Sequence, residues 1–519
     1  MCTTYKEKQM KKTLITLSVA AALATTTFAG EAEMQSQLDT LSKQNEKMAK
    51  QIKKLQKDQK KAKKSLSAVK KQAGGDNIKF DVDFRTAYDY ISYETAKGEK
   101  YTNDALFSER LWLGMGYAPV EGMIFRGQLS MNKAFGANPP ADSTITGMPQ
   151  RGYGFDSFDW VVNENLTDGS VRVREVFWLY KSPSFFGSDV SWTASVGRRP
   201  ATNGFLINFR EDDNAKSPLG HVINMEFDGG SFKLGFDEVT GIDGLSFKLC
   251  AGRGLTNANA RFTQTGLDYA KDEDSLSDNV DMIGVIFVPY DDGQYSVQTT
   301  YYRGFNVPGV YANSFAAGPG GQPMPTSFGF ASVGDMDGAA ISVLANGVGD
   351  GWSDFTDEMI LFGSFAWSQT NPDNKKLPVS GYPGGSTYDP GMLGSTDKES
   401  GTSFWLGAQI PVMFTEDGKF GLEYNHGSKY WRPFTYGEDT MIGSKIAVRG
   451  DAYEAYYTQP LFKSFSFQVR ATYIDYEYTG SQGFFAQGGT PMTMDEAVAK
   501  GMDPVEKATD IRAYLRYRY

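Results

Sequence analysis

The amino-acid sequence predicts an all-β fold, a transmembrane antiparallel β-barrel of about 16 strands, preceded by an N-terminal α-helical coiled coil. Three observations lead to this prediction. Apolar and polar side chains alternate in many short segments after residue 77, a heptad repeat covers residues 34–69, and the final strand ends in an aromatic side chain. Alternating segments of about ten residues, separated by turns, are typical of membrane barrels. A content of 57 glycines with 22% charged residues suits such a chain of strands and turns.

Residues 1–29 have the three parts of a secretory signal peptide. Basic residues at 11 and 12 precede an apolar run at 14–24 and a small-residue site at 27–29. We expect cleavage after Ala29 and translation from Met10, so that Cys2 is absent from the mature chain. Cys250 then stands alone and forms no internal disulfide. Beyond this segment no apolar run approaches the roughly 20 residues that a membrane-spanning helix needs, so we expect strands to cross the membrane.

Residues 30–73 predict a coiled coil, because apolar residues recur at alternating spacings of four and three. Polar residues within the seam would fix its register, and uncharged flanking positions would let identical copies pack together. The seam allows either three copies or two, and we predict a linker at residues 74–76. The oligomerisation residues would be Leu38, Leu41, Asn45, Met48, Ile52, Leu55, Gln59 and Leu66.

The outer face of this helix is basic, with 12 lysines against 5 acidic residues between positions 31 and 73. Such a charge could bind an anionic surface such as the cell wall. The alternative is that the positive charge only keeps the helix soluble.

Residues 77–519 carry the alternating pattern of the predicted barrel. Short turns and long polar loops must alternate strictly if the short turns lie in the periplasm and the long loops outside. The segment 221–227 breaks this alternation when it is counted as a strand. Placing it inside the third long loop gives 16 strands with both ends in the periplasm, whereas keeping it as a strand requires 18.

The last 11 residues, 509–519, form a strand with two different faces. Arg512, Tyr514, Arg516 and Arg518 would face water. The opposite face would meet lipid. This apolar face resembles the C-terminal signature that the barrel assembly machinery recognises in bacterial outer-membrane β-barrels, although the last residue of that signature is usually Phe. The residues of this assembly signal are Ile511, Ala513, Leu515, Tyr517 and Tyr519.

Together these features resemble the bacterial outer-membrane porins and an uncharacterised porin-like family that carries a periplasmic coiled coil. The resemblance implies a Gram-negative outer membrane, contact with its lipids and lipopolysaccharide, and a third long loop that narrows the pore. Because several porins are trimers, it also implies a homotrimer, with a dimer as the alternative. The constriction residues would be Arg198, Arg199, Arg210, Glu211, Asp212, Asp213 and Lys216. Arg110, Arg126, Arg172 and Arg174 would line the lumen wall. For each of these residues the alternative is a structural ion pair between strands.

The function predicted is passive diffusion of small hydrophilic solutes or ions. Residues 74–519 hold 36 basic and 56 acidic residues, so a weak cation preference is expected unless a basic constriction reverses it. The alternative is a structural or adhesive barrel, tethered to the cell wall by its coiled coil. We expect no enzymatic activity, because His221 and His426 lie in no nucleophile motif. No cofactor, metal site or nucleic-acid partner is expected.

Overall fold

The computed structural model describes residues 78–137, 166, 169–200, 203–262, 265–318, 321, 323–349, 351–435, 440–482 and 489–519. The chain divides into two units, Met1–Asp76 and Asn77–Tyr519. The predicted signal peptide, the coiled coil with its oligomerisation residues, and the linker all lie outside the described residues.

Sixteen antiparallel strands close into a barrel, as the sequence predicts. Each strand of the barrel pairs with its neighbours along the chain, and four short strands of the described residues lie outside this sheet. The wall consists of β1 (Lys79–Thr95), β2 (Lys100–Tyr117), β3 (Met123–Ala134), β4 (Arg172–Ser182), β5 (Ser191–Pro200), β8 (Glu226–Gly235), β9 (Ser246–Leu255), β10 (Val280–Asp291), β11 (Tyr295–Ala317), β12 (Pro323–Asn346), β13 (Ile360–Pro372), β16 (Ser400–Pro411), β17 (Lys419–Gly427), β18 (Gly450–Phe462), β19 (Phe465–Tyr476) and β20 (Val505–Arg518). The short strands are β6 (Gly204–Phe205), β7 (Lys216–Leu219), β14 (Leu377–Pro378) and β15 (Thr387–Tyr388).

The first and last strands close the barrel. Strand β1 pairs with β20 from Asp83 opposite Arg518 to Thr95 opposite Val505. This pairing leaves no free edge in the sheet, so every strand satisfies its backbone hydrogen bonds inside the wall.

The two faces of the wall differ as the alternation predicts. On β20 the outward side chains of Ile511 and Leu515 are 43% and 50% exposed, whereas the inward Arg516 is 1% exposed. Aromatic pairs such as Phe404 with Tyr424 lie among these outward side chains. Apolar residues outside and polar residues inside are the arrangement that a barrel in lipid requires.

In the described part of the chain, four short α-helices and one 3₁₀ helix lie between strands. They are α1 (Ile207–Arg210), α2 (Asp237–Thr240), α3 (Asp354–Glu358), α4 (Met494–Ala499) and the 3₁₀ helix Lys445–Ala447. Helix α4 begins with a capping box, in which Thr493 and Glu496 bond reciprocally. Among the described residues no helix has the length and hydropathy needed to cross a membrane.

Among the loops that the structure describes, two enter the barrel. The third loop (residues 203–225) follows β5, and the second inward loop (residues 428–449, of which 436–439 are not described) follows β17. They meet where Ile223 forms a parallel bridge with Phe434. The third loop therefore holds the 221–225 part of the ambiguous segment, and β8 begins at Glu226. Buried apolar residues of both loops pack with wall residues of β11–β13 and β16, including Leu206, Leu219, Val222, Tyr302, Met336, Phe362, Trp405, Trp431 and Phe434.

Candidate functional site

The third loop is fixed to the far wall of the barrel through its own backbone. Four consecutive carbonyl oxygens, of residues 209–212, each accept a hydrogen bond from a wall side chain. The donors are Gln409 at 3.1 Å, Gln468 at 2.9 Å, Arg516 at 2.5 Å and Arg518 at 2.6 Å. Carbonyls at the C-terminal end of a helix lack partners within that helix, so the wall supplies partners to the end of α1 and to the two residues that follow it. We call this set of four bonds the carbonyl latch.

Ion pairs surround the carbonyl latch. Arg470 binds Glu211 at 2.8 Å, and Arg518 binds Asp212 at 2.5 Å. Arg516 binds Asp213 at 2.9 Å and also pairs with Asp83 on β1. Arg516 and Glu211 are both almost fully buried. Removing one member of such a buried pair strands the other charge, so these contacts hold the loop in one position.

A second group of charges fixes both inward loops to the same wall. Lys445 of the second inward loop lies 2.6 Å from Glu423 and 2.5 Å from Glu454. Arg210 of the third loop lies 3.7 Å from the same Glu454. Glu423 also accepts a hydrogen bond from Trp405 at 2.9 Å. The two loops therefore share one anchoring carboxylate on β18.

The predicted constriction residues do not form a single cluster. Arg210, Glu211, Asp212 and Asp213 lie at the carbonyl latch and its ion pairs. Arg199 and Lys216 line a cavity on the other side of the lumen. Arg198 instead pairs with Glu226 at 2.8 Å and Asp228 at 3.3 Å.

The predicted wall arginines are mostly bound to neighbouring strands. Arg110 and Arg174 lie over the Trp112 ring, at 3.6 and 3.9 Å from its centroid. Arg110 also pairs with Asp83 at 3.5 Å, and Arg174 donates to Gln128 at 2.6 Å. Such contacts match the structural alternative that the sequence leaves open. Arg126 lines the cavity, and Arg172 is half-buried at the start of β4.

A cavity of about 490 Å³ remains between the third loop and the wall formed by β3–β5 and β8–β11. We call it the lumen cavity. Of the described residues that line it, Glu175 alone is acidic, and it pairs with Arg126 at 2.9 Å and Lys216 at 3.1 Å. Arg199 lies over the Phe177 ring, 3.6 Å from its centroid. The lining therefore holds more positive than negative charge.

The sequence-based prediction did not include two residues that line the lumen cavity. Lys248 on β9 lines the cavity and donates to Ser217 of the third loop at 2.8 Å. Cys250, two residues later on the same strand, also lines it. The alternation in β9 places these two side chains on one face, and that pattern could have identified them once the inward face was known. The apolar part of the lining comprises Phe177, Ile223, Met225, Phe227, Met282 and Ile286.

Residues 100–519 match the family model described as "Protein of unknown function (DUF3373)". The chain belongs to the DUF3373 family. No curated protein matches it in sequence.

Solved structures similar to this DUF3373 chain include three outer-membrane proteins. The anion-selective porin from Comamonas acidovorans has 11% identity and a TM-score of 0.45, with coverage of 85% of this chain and 99% of that chain. OprB of Pseudomonas putida has 12% identity and a TM-score of 0.44, with coverage of 87% and 96%. Salmonella typhi OmpF in complex with daunomycin has 11% identity and a TM-score of 0.42, with coverage of 85% and 97%. The barrel assignment itself follows from the closed sheet of this chain.

The two histidines of the DUF3373 chain lie in different environments. His221 of the third loop is fully buried, and its ring nitrogens contact the hydroxyls of Ser364 at 2.8 Å and Ser403 at 3.0 Å. Burial lowers the pKa of His221 to about 3, so the ring is neutral near pH 7. His426 lies instead near the C-terminal end of β17, where its Nδ1 is 3.0 Å from Asp451.

One group of side chains among the described residues has the spacing of metal ligands. Candidate ligand atoms of His426, Asp451 and Glu477 lie within 4.8 Å of one another. The Tyr424 hydroxyl also donates to Asp451, at 2.6 Å. This group lies away from the lumen cavity, because His426 packs against the outward ring of Phe404.

Proposed function

We propose that this DUF3373 chain is a porin of the Gram-negative outer membrane, through which small hydrophilic solutes or ions diffuse past the third loop. One observation carries the proposal. The carbonyl latch holds the loop against one wall, and a cavity of about 490 Å³ with a charged lining remains on the other side. Barrels of this strand number are wide enough to enclose a water-filled channel, and an inward loop then sets its width.

The charge of the lumen cavity favours anions. The lining contains Arg126, Arg199, Lys216 and Lys248 against the single carboxylate of Glu175. The weak cation preference expected from the whole barrel depends on acidic residues spread over its loops. At a narrow point, charges within a few ångströms outweigh charges that water screens beyond about 8 Å. We therefore propose anion preference for the chain.

We also propose partners and a location for the chain. The outward apolar face of β20 supports recognition by the barrel assembly machinery and contact with lipid and lipopolysaccharide. We propose a homotrimer whose coiled coils, residues 30–73, lie in the periplasm and contact the cell wall. We also propose that the chain is not an enzyme, because His221 is buried, neutral and engaged with two hydroxyls.

A structural or adhesive barrel is the second candidate. It is favoured by the apolar cluster that fills part of the lumen, where Trp405, Trp431 and Phe434 are fully buried. A barrel whose whole interior were packed in this way would pass no solute.

Single-channel recording in planar bilayers distinguishes the two candidates. The purified, folded chain is expected to give discrete conductance steps, and a KCl gradient is expected to give a reversal potential of the sign that anion preference requires. Folded protein that inserts into the bilayer and gives no steps would favour the structural barrel. Steps with a reversal potential of the opposite sign would support the porin and reject the anion preference.

A further inference from the structure

We propose that the lumen cavity is a binding site for organic anions in which a carboxylate is attached to a compact apolar or aromatic group. This inference rests on the proposed diffusion function and names the class of solute. It follows from how the two kinds of lining residue, basic and apolar, are arranged around one space.

The protein neutralises only part of the positive charge of the lumen cavity. Glu175 is shared by two cations, Arg126 and Lys216. No carboxylate among the described residues lies within ion-pair distance of Arg199 or Lys248, whose contacts are the Phe177 ring and the Ser217 hydroxyl. Charges withdrawn from water are costly unless they are paired. A carboxylate entering the cavity would provide the missing partner.

The geometry of Arg199 suits this role. Its guanidinium lies 3.6 Å from the centroid of the Phe177 ring, which fixes the plane of the group. A planar guanidinium held in place can bind a carboxylate through two parallel hydrogen bonds. Lys248 is held by Ser217 of the third loop at 2.8 Å, so both cations have defined positions before a ligand arrives.

The apolar lining indicates what is attached to the carboxylate. Ile223 and Met225 of the third loop contribute apolar surface from one side, and Phe227, Met282 and Ile286 contribute it from the wall. A hydrated inorganic ion gains nothing from such a surface, whereas an apolar group gains roughly 25 cal/mol for each Å² removed from water. The volume of about 490 Å³ falls in the range of small-molecule sites. The lining therefore fits a carboxylate with a compact apolar body.

Cys250 provides a reporter within the cavity. It is the one free cysteine among the described residues, and it lines the lumen cavity beside Lys248. The rate at which a neutral maleimide alkylates Cys250 in the folded chain would fall when a ligand fills the cavity. A Cys250→Ser variant identifies any labelling at other positions.

Three probes of similar shape separate charge from size. Benzoate, benzamide and benzylammonium differ in the charge beside the same ring. Benzoate is expected to slow alkylation of Cys250 with an apparent affinity about tenfold higher than that of benzamide, because hydrogen bonds between charged groups add roughly that factor. Benzylammonium is expected to give no protection. Equal protection by all three probes, or protection by none, would overturn the proposal.

Substitution of the two unpaired cations tests their role. The double variant Arg199→Gln with Lys248→Gln is expected to lose the tenfold difference between benzoate and benzamide. Arg253→Gln is the matched control, because Arg253 lies on the same strand and pairs with the exposed Asp281 at 2.7 Å. It should keep the difference. A double variant that still discriminates between benzoate and benzamide would contradict the proposal. If the double variant does not fold, the comparison of the three probes on the unmodified chain still tests the proposal.

The test is independent of the proposed function. Conductance in bilayers reports whether ions cross the barrel, whereas protection of Cys250 reports whether the cavity binds an organic anion. A chain that conducts but shows no benzoate protection would remove this inference and leave the diffusion function intact. A chain that shows benzoate protection but no conductance would keep the binding site and remove the diffusion function.

Discussion

The guanidinium of Arg516 donates a hydrogen bond at 2.5 Å to the backbone carbonyl of Glu211, which connects the last strand of the barrel to the third loop. The same side chain pairs with Asp83 on β1 and with Asp213 at 2.9 Å. Strand β20 therefore closes the barrel and also holds the loop to one wall. Folding of the last strand and positioning of the loop are linked through Arg516, together with Arg518 of the same strand.

Replacement of Arg516 by glutamine is expected to loosen the third loop. The substitution removes one of the two arginine partners of Asp83, leaving Arg110 at 3.5 Å, and it removes one bond of the carbonyl latch. Breaking a buried ion pair of this kind costs about 3–5 kcal/mol. We expect a lower free energy of unfolding in urea, measured in lipid vesicles, and larger fluctuations of the open-channel current.

Arg253→Gln serves as the control for the change of charge. The pair of Arg253 with Asp281 is exposed, and exposed pairs contribute at most about 1 kcal/mol. If Arg516→Gln were no less stable than Arg253→Gln, the carbonyl latch would not be holding the loop.

His221 is expected to make stability depend on pH below 6.5. Its pKa is about 3 in the folded chain, against about 6.5 for an exposed imidazole, so the unfolded chain binds an additional proton between these values. The contribution of His221 is fully present above pH 6.5 and decreases as the pH falls towards 3. At pH 5 the loss would be about 2 kcal/mol.

A His221→Gln variant isolates this effect, because an amide can bond to Ser364 and Ser403 without titrating. Urea unfolding at pH 7.5 and pH 5 should give a smaller decrease in free energy for the variant than for the unmodified chain. Identical decreases in the two proteins would show that His221 is not the group responsible.

Gly401 on β16 is expected to tolerate no side chain. A Cβ at this position would overlap the backbone of Tyr430 and Trp431 in the second inward loop. Backbone cannot move aside as the end of a flexible side chain can, so Gly401→Ala should destabilise the chain by about 1–3 kcal/mol. The measurement is again the free energy of unfolding in urea.

Gly116 on β2 provides the matched control, because a Cβ there would meet no atom within 4 Å. Gly116→Ala is expected to leave stability unchanged or to raise it by up to about 1 kcal/mol, through the reduced entropy of the unfolded chain. Equal effects of the two substitutions would contradict the close contact between β16 and the second inward loop.

The strands could be predicted from sequence because lipid imposes a simple rule on them. Each outward side chain must be apolar, so the alternation in residues 509–519 already distinguishes Leu515 from Arg516. Strict alternation of short turns and long loops then gave the count of 16 strands. The capping box of Thr493 and Glu496 is equally local and was equally predictable.

The interior of the barrel follows no comparable rule. Lumen residues are chosen by the side chains they meet across the barrel, such as Gln468 with the carbonyl of Arg210, 258 positions away in sequence. The predicted constriction grouped Arg199 with Arg210 because both were assigned to one loop. In the structure Arg199 lies on β5 and lines the lumen cavity, whereas Arg210 lies in the third loop near Glu454 of β18. The inward turn of Trp431 and Phe434 left no periodic signal in the sequence, since these residues lie in an irregular loop.

The path of solutes through the lumen cavity can be tested directly by filling it. Ser231 lines the cavity, whereas Val196 on the neighbouring strand points outward and is 64% exposed. Single-channel conductance should fall several-fold in Ser231→Trp and remain unchanged in Val196→Trp. Equal conductance in the unmodified chain and in folded Ser231→Trp would contradict a route beside the third loop.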